Sequence, residues 1–332
     1  MNNKILIIKL GALGDLILLA PFIRSVQQAH AGTAICLLTT PPFAHLFDDW
    51  PELTVHALER RDILKMVLWV RRQGFRRIYD FQSNDRSAVV CALSGVPERI
   101  GERPRFPYTH HPPGPYNKQT HVFQRHNALL ISAGLEPAEE CLCLPIPDCA
   151  RAEIKAWIIE HGLDKRAFAL CHAGASVHWP SKRWPYFAEL AEQLADNGIT
   201  IVWLGSGSDA QTNRVLAGKY GIDATDNFRI FELAELGRYA RFAVTNDSAP
   251  MHVLAGTDIP VYGLFGPTDW RRSHALGQSE QALYSTVTCP ACASKHKALA
   301  EGHSCLASIS VDRVMQRLDA DGLLNPDRHS GR

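Results

Sequence analysis

The 332-residue chain carries almost no excess charge of either sign, since 35 Lys and Arg stand against 34 Asp and Glu. That balance supplies no bulk field for nucleic acid, and no nucleic-acid partner is expected, although a local basic face is compatible with it. Long apolar runs are also scarce. The most apolar opening stretch, residues 5–23, is interrupted by Lys9, Gly11, Gly14 and Asp15 and reads as neither an export signal nor a membrane helix. Nine cysteines are scattered without an even disulfide framework, so a reducing cytoplasm is the expected compartment. The Walker pattern GxxxxGK[ST] is missing, and Gly11-x-x-Gly14 does not complete GxGxxG after the first strand.

The sequence does hold a repeated alternation of short apolar runs and helix-like segments over a length that suits two domains. Residues 4–10 read as a buried strand, 11–15 as a tight loop and 16–29 as one helix closed near Gly32. Strands at 33–39, 53–58 and 76–81 and a helix over 62–74 continue a parallel-sheet rhythm. Residues 102–119, rich in Pro, His and Arg, read as a long loop; the adjacent His110 and His111 in it are weak evidence for metal. After a helix ending at Gly134, periodicity breaks over 137–148, which places the boundary between domains 1–147 and 148–332.

In the second half, 168–172 is a strand and 173–183 a loop containing Gly174, Ser176 and Lys182, whose small residues and cation suit a phosphate. The next strand, 199–204, leads into Gly205-Ser206-Gly207-Ser208-Asp209-Ala210, formally GxGxxA, with Asp223 or Asp226 downstream where a ribose-binding acid would sit. An NAD-type oxidoreductase is therefore the rival reading, weakened because the fingerprint usually follows the first strand of its domain.

The stretch 245–268, TNDSAPMHVLAGTDIPVYGLFGPT, organises the chain. A buried strand ends at Asn246, Asp247 and Ser248 suit a helix cap, Pro250 suits the first turn and Gly256 the stop. A helix starting where a parallel strand ends is a seat for a diphosphate; it is equally an ordinary, well-capped strand–helix–strand unit. Asp15, at the start of the first helix, is likewise open to two roles: an N-cap, or a general base for a hydroxyl. Arg86 fits either an anionic acceptor or a solvated surface.

Asn246-Asp247-Ser248-Ala249-Pro250-Met251-His252 followed by Leu264-Phe265-Gly266-Pro267-Thr268 resembles the donor-site signature of the heptosyltransferase family, with Ala249 where the family usually has Gly. Lys9-Leu10-Gly11-Ala12-Leu13-Gly14-Asp15 resembles the family's opening motif and HAGASVHWPSKRWP, residues 172–185, its first donor loop. The resemblance implies an α/β GT-B fold, two Rossmann-like domains with parallel sheets facing across a cleft. It implies an inverting transfer of heptose from ADP-L-glycero-D-manno-heptose to a lipopolysaccharide inner-core acceptor, a lipid-linked oligosaccharide met at the cytoplasmic face of the inner membrane.

On that resemblance Asp15 is the base and Lys182 meets the leaving diphosphate. Gly174, Ser176, Asp209, Leu233, Asp247, Ser248, Ala249 and His252 line the donor, with Leu233 packing on the base and Asp247 capping the helix or holding sugar hydroxyls. Lys9, Gly11, Gly14 and Arg86 lie on the acceptor side. No cofactor is required, and no obvious DxD metal motif accompanies these loops. A non-catalytic sugar-nucleotide-binding protein is the third reading, kept open by Ala249 and by Asp269-Trp270-Arg271-Arg272.

The tail holds Cys289-Pro290-Ala291-Cys292 and Cys305 with His296 and His303 between. These are donors for a structural zinc or iron knuckle, without a second CxxC, or simply a cysteine-containing loop. Residues 311–324 read as a final helix crossing back onto the first domain, and 325–332 as a disordered end.

Overall fold

The computed structural model describes residues 4–48, 50–117, 119–142, 144–293 and 303–325. Residues His296 and 326–332 lie outside them. The chain divides into two compact units, Met1–Pro145 and Ile146–Arg332.

The first unit runs β1 (Lys4–Ile8), α1 (Leu13–Ile17), α2 (Ala20–Ala29), β2 (Ile35–Thr39), β3 (Leu53–Ala57), α3 (Ile63–Gln73), β4 (Phe75–Asp80), α4 (Asp85–Leu93), β5 (Glu98–Gly101) and α5 (Val122–Ser132). Its strands form one sheet in the order β3-β2-β1-β4-β5, with every pairing parallel. Strands of a parallel sheet are covered on both faces and so need continuous apolar runs, which Ile5–Ile8 and Ile35–Leu38 supply.

One expectation fails here: residues 16–29 do not form a single helix. Pro21 has no N–H to donate to Ile17, so the chain ends α1, turns through Leu18 and Leu19, and restarts with Pro21 in the first turn of α2.

The second unit runs α6 (Asp148–Glu160), β6 (Phe168–His172), α7 (Phe187–Asp196), β7 (Thr200–Gly205), α8 (Ala210–Ala217), β8 (Ile222–Thr225), α9 (Ile230–Gly237), β9 (Phe242–Asn246), α10 (Ala249–Leu254), β10 (Val261–Phe265), β11 (Ala282–Tyr284), α11 (Pro290–Ala293), α12 (Ser304–Ala307) and α13 (Val311–Ala320). Its sheet order is β11-β10-β9-β6-β7-β8, again parallel throughout. Counted within the unit this is the doubly wound order of dinucleotide-type folds, and its order reverses between β6 and β9; in the first unit the reversal lies between β1 and β4.

Helix α13 packs on the core of the second unit. Its apolar stripe, Val311, Val314 and Leu318, is buried in the core with Trp184, Phe187 and Tyr262, and the Tyr262 hydroxyl donates to Asp321 at 2.5 Å. Seven described cysteines are free thiols, whereas Cys141 is disulfide-bonded, an exception in a chain read as having no disulfide framework.

Gly101 closes β5 where the chain has no room for a side chain, because a Cβ there would lie 2.3 Å from the Tyr108 ring. Tyr108 cannot swing aside cheaply, since its hydroxyl donates to the buried Asp80 Oδ2 at 2.6 Å. Gly101→Ala should therefore destabilise the protein by roughly 1–3 kcal/mol. A melting temperature equal to wild type in a thermal scan would show that the ring yields.

Candidate functional site

In an open α/β sheet, ligands are held beyond the carboxyl ends of the strands at the point where strand order reverses. In the second unit that point lies between His172, the last residue of β6, and Asn246, the last of β9. The buried Asn246 amide joins two loops there. Its Nδ2 donates to the carbonyls of Ala173 and Gly174, both at 2.9 Å, and its Oδ1 accepts from the Trp184 N–H at 3.0 Å.

With the loop so pinned, Lys182 Nζ reaches Asp247, donating to Oδ2 at 2.7 Å and to the backbone carbonyl at 3.3 Å. The Thr268 hydroxyl donates to the same Oδ2 at 2.7 Å. An ammonium has three donors, so one Lys182 N–H is not used by Asp247, and Nζ stands 5.4 Å from the centre of the Trp179 ring. Residues from three separate motifs, 182, 247 and 268, thus meet at one carboxylate.

Asp247 does not cap the following helix. Ser248 holds the N-cap position of α10, but its hydroxyl bonds His172 Nδ1 at 2.9 Å and donates to the Asn246 carbonyl at 3.1 Å, so the first turn has no side-chain cap. The cause is distance: the Asp247 carboxylate is drawn to Lys182 and Thr268. Ala249 opens α10 without a positive φ, so the backbone at this position does not require the glycine usual in the family. His252 is buried one turn further along.

Asp209 is buried at the same sheet edge. Its Oδ2 accepts from the Ser206 N–H at 3.1 Å and from the Ser206 hydroxyl at 3.2 Å, while Arg183 Nη2 lies 3.9 Å from its Oδ1. A Cβ on Gly174 would fall 2.2 Å from Asp209 Oδ1, and one on Gly205 would fall 2.9 Å from its Cβ. Gly174 and Gly205 thus make room for the Asp209 side chain, whereas a Cβ on Gly207 would meet only Asp226 Oδ2, at 3.3 Å. Leu233 is buried on α9 and Ser176 is exposed in the loop; among the described hydrogen bonds neither is joined to this group.

His172 lies between Ser248 and Asp209, its Nε2 3.9 Å from Asp209 Oδ2. Burial pushes the imidazole down to about 4, the Asp209 charge offsetting only part of that effect. The ring is neutral at physiological pH.

In the first unit Lys9, immediately beyond β1, is almost wholly buried. Its Nζ donates to the Phe81 carbonyl at 3.0 Å and stands 3.5 Å from Asp15 Oδ2, whose side chain is 44% exposed. Asp15 sits in the first turn of α1, with Ala12 at the N-cap position, so the cap role proposed for it does not apply. Gly14 lies in the same turn. Gly11, at φ +116°, abuts Phe43 and Arg60, and Arg60 Nη2 donates to the Leu10 carbonyl at 2.7 Å. The Leu10 N–H in turn donates to Gln82 Oε1 at 2.9 Å, so this loop is tied to the end of β4 across the order reversal.

Behind Lys9 is a charged group that sequence reading missed. Glu102 Oε1 is 2.6 Å from His126 Nδ1, and its Oε2 accepts from Arg125 at 3.0 Å. Burial alone would raise the Glu102 carboxyl, but the His126 bond and the charges of Arg125 and Lys9 outweigh it and hold the group below its ordinary range. Arg86 is exposed on α4 and has no ion-pair partner among the described residues. In the tail, Cys289, Cys292 and Cys305 converge with His303.

The family model of glycosyltransferase family 9 (heptosyltransferase) matches residues 63–303. Lipopolysaccharide heptosyltransferase 2 of Escherichia coli (strain K12) is 24% identical, over 96% of this chain and 98% of that protein. Among solved structures, a glycosyl transferase family 9 protein from Veillonella parvula aligns with a TM-score of 0.75 at 22% identity, covering 98% of each chain. The Escherichia coli heptosyltransferase WaaC with ADP aligns at 0.67 and 19% identity, covering 97% of this chain and 99% of that one. These likenesses give the α/β GT-B fold class with its two parallel sheets.

The His172 geometry fixes a pH dependence. Its folded value of about 4 lies below the ordinary 6.5, so the unfolded chain binds the proton first. The stability contribution is complete above about pH 6.5, declines as pH falls toward 4 and is flat below, a span on the order of 3 kcal/mol. His126, also held down by burial, titrates in the same direction, so the informative quantity is the difference between wild type and His172→Asn. Urea titrations from pH 7 to pH 4 should show a shallower acid loss in the variant; equal slopes would contradict a neutral buried His172.

Proposed function

This chain belongs to glycosyltransferase family 9, the heptosyltransferases, and from that premise we propose that it moves a heptose from an ADP-heptose donor to an inner-core acceptor of lipopolysaccharide. The meeting of Lys182, Asp247 and Thr268 at the β6/β9 reversal is the observation that carries the donor reading. The WaaC structure that this chain resembles was solved with ADP, which makes an adenine nucleotide the first donor to test.

In this reading the second unit holds the nucleotide sugar. The remaining Lys182 donor and the uncapped first-turn N–H groups after Ser248 meet the charge that develops on the leaving diphosphate, so the step needs no divalent ion. Asp247 carries a negative charge beside that anion, and its pairing with Lys182 and Thr268 offsets the repulsion. Asp209, braced by Ser206 and Arg183, lies within the same sheet edge for nucleotide or sugar hydroxyls, with Leu233 on the base and His252 behind the first turn.

The first unit supplies the acceptor side. Asp15 accepts the proton of the attacking hydroxyl while that oxygen forms the new bond to the anomeric carbon and the bond to the diphosphate oxygen breaks; attack from the opposite face inverts the centre. Lys9 orients Asp15 through a buried cation, and Arg86 is a free guanidinium for a carboxylate or phosphate on the acceptor. The acceptor is lipid-linked, so work at the cytoplasmic face of the inner membrane is part of the proposal. Among the described residues no helix is long and apolar enough to cross a membrane.

Calorimetric titration with ADP, UDP, GDP and NAD tests the donor half. ADP should bind in preference, and Lys182→Ala should weaken it about 10- to 100-fold, the worth of a charge-assisted hydrogen bond. Tight NAD binding indifferent to Lys182 would instead revive the oxidoreductase.

Turnover of ADP-heptose on a heptose-deficient core acceptor tests the other half. Asp15→Asn should lower kcat by roughly 10²- to 10⁴-fold while ADP affinity stays at the wild-type value. Turnover that survives the substitution would remove Asp15 from the role of base, and binding without turnover on any acceptor would favour a non-catalytic protein.

A further inference from the structure

The four donor atoms of Cys289, Cys292, His303 and Cys305 all lie within 4.8 Å of one another. Cys292 Sγ is 3.4 Å from both Cys305 Sγ and His303 Nδ1, and His303 Nδ1 is 3.7 Å from Cys289 Sγ and 3.8 Å from Cys305 Sγ. A disulfide requires about 2.05 Å between sulfurs, so these contacts are not bonds, and all three cysteines are free thiols. Metal–sulfur bonds of about 2.3 Å and metal–nitrogen bonds of about 2.0 Å at tetrahedral angles put ligand atoms roughly 3.5–3.8 Å apart. The four separations just given are close to the edges of that tetrahedron, and the remaining two lie within 4.8 Å.

Its surroundings fit the same reading. The Cys292 N–H donates to the Cys289 carbonyl at 3.0 Å, the tight turn that sets two CxxC sulfurs on one side. Cys289 and Cys305 are buried, which excludes competing water from half of the ligand set. Helix α12, which carries Cys305, has only four residues and is too short to hold itself.

We propose that Cys289, Cys292, His303 and Cys305 bind one tetrahedral zinc or ferrous ion, and that this ion seats α12 against the Gly266 turn that presents Thr268. Three thiols lose their protons on binding, and the imidazole contributes its Nδ1 lone pair.

The link to the turn is steric. A Cβ on Gly266 would lie 2.5 Å from Leu306 Cγ and 3.1 Å from Cys305 Sγ, so the ligand-bearing helix rests directly on that backbone. Two residues on, the Thr268 hydroxyl donates to Asp247 Oδ2. Past α12, the Ile309 carbonyl accepts from Trp184 Nε1 at 2.8 Å, and the Trp184 N–H is held by Asn246. The ion thus braces both loops that meet at Asp247 without touching them. The metal site goes beyond the transfer reaction; only its coupling to nucleotide rests on the donor reading proposed above.

The full chain, purified without chelator, should contain about one zinc or iron per molecule by mass spectrometry, and chelator-stripped protein should take up one Co²⁺ with intense thiolate charge-transfer absorption. The bound ion should protect three thiols from iodoacetamide until chelator is added, a test on the native chain that does not depend on a variant folding. Cys292→Ser should lose the ion, and the exposed Cys149→Ser should keep it.

No stoichiometric ion and no Co²⁺ uptake, or an ion that leaves the three thiols reactive, would overturn the site. Stripping should weaken ADP binding by roughly fivefold or more. Unchanged affinity would overturn the positioning role. A metal-loaded chain that binds no ADP would sink the donor reading and leave the metal site standing.

Discussion

The second unit depends on one side chain, the buried amide of Asn246. A parallel sheet delivers its loops to the carboxyl edge but does not fix them to one another, because hydrogen bonding between strands ends where the strands end. Asn246 continues the sheet by other means, offering two donors to the carbonyls of Ala173 and Gly174 and an acceptor to the Trp184 N–H. Leaving such groups unpaired in a buried position costs on the order of 1–3 kcal/mol each. The position of Lys182, two residues before Trp184, is therefore set by β9 rather than by its own loop.

The first unit solves a similar problem with charge. Lys9 is taken out of water to hold the Phe81 carbonyl and stand beside Asp15. Burying an ammonium is costly unless it is compensated, and the compensation comes from the Asp15 and Glu102 carboxylates. Glu102 in turn needs Arg125 and His126. The carboxylate proposed as the base is thus the exposed end of a buried charged chain, which fixes its position while leaving part of its surface open to a hydroxyl.

Much of the fold was legible because parallel strands are buried on both faces and so write themselves as apolar runs, as at 168–172 and 261–265. What escaped was short or interrupted. Ile222–Thr225 contains an Asp and Ala282–Tyr284 has three residues, too little for a periodicity; the Pro21 break needed hydrogen-bond bookkeeping rather than pattern. At the site, Asp15, Lys182, Asp209 and Asp247 stood out as charges at loop ends. Their partners did not: Asn246 and Trp184 are 62 residues apart, Lys9 and Phe81 are 72 apart, and no local pattern joins them. The one available signal for Asn246 was a polar amide closing an otherwise apolar strand.

The charge balance at the β6/β9 edge bears on how a donor site turns over. Lys182 is matched by Asp247 and Arg183 stands against Asp209, while His172 is kept neutral by burial. On the donor reading, an edge so balanced would hold a diphosphate through directed hydrogen bonds rather than through a large positive field. Uniform attraction would grip the sugar donor and the released nucleotide alike and would lower KM without raising kcat. Directed donors strengthen as the leaving oxygen gains charge, so they favour bond breaking over mere retention. On the donor reading, the pairing of Lys182 with Asp247 is what keeps the cation from binding product too tightly.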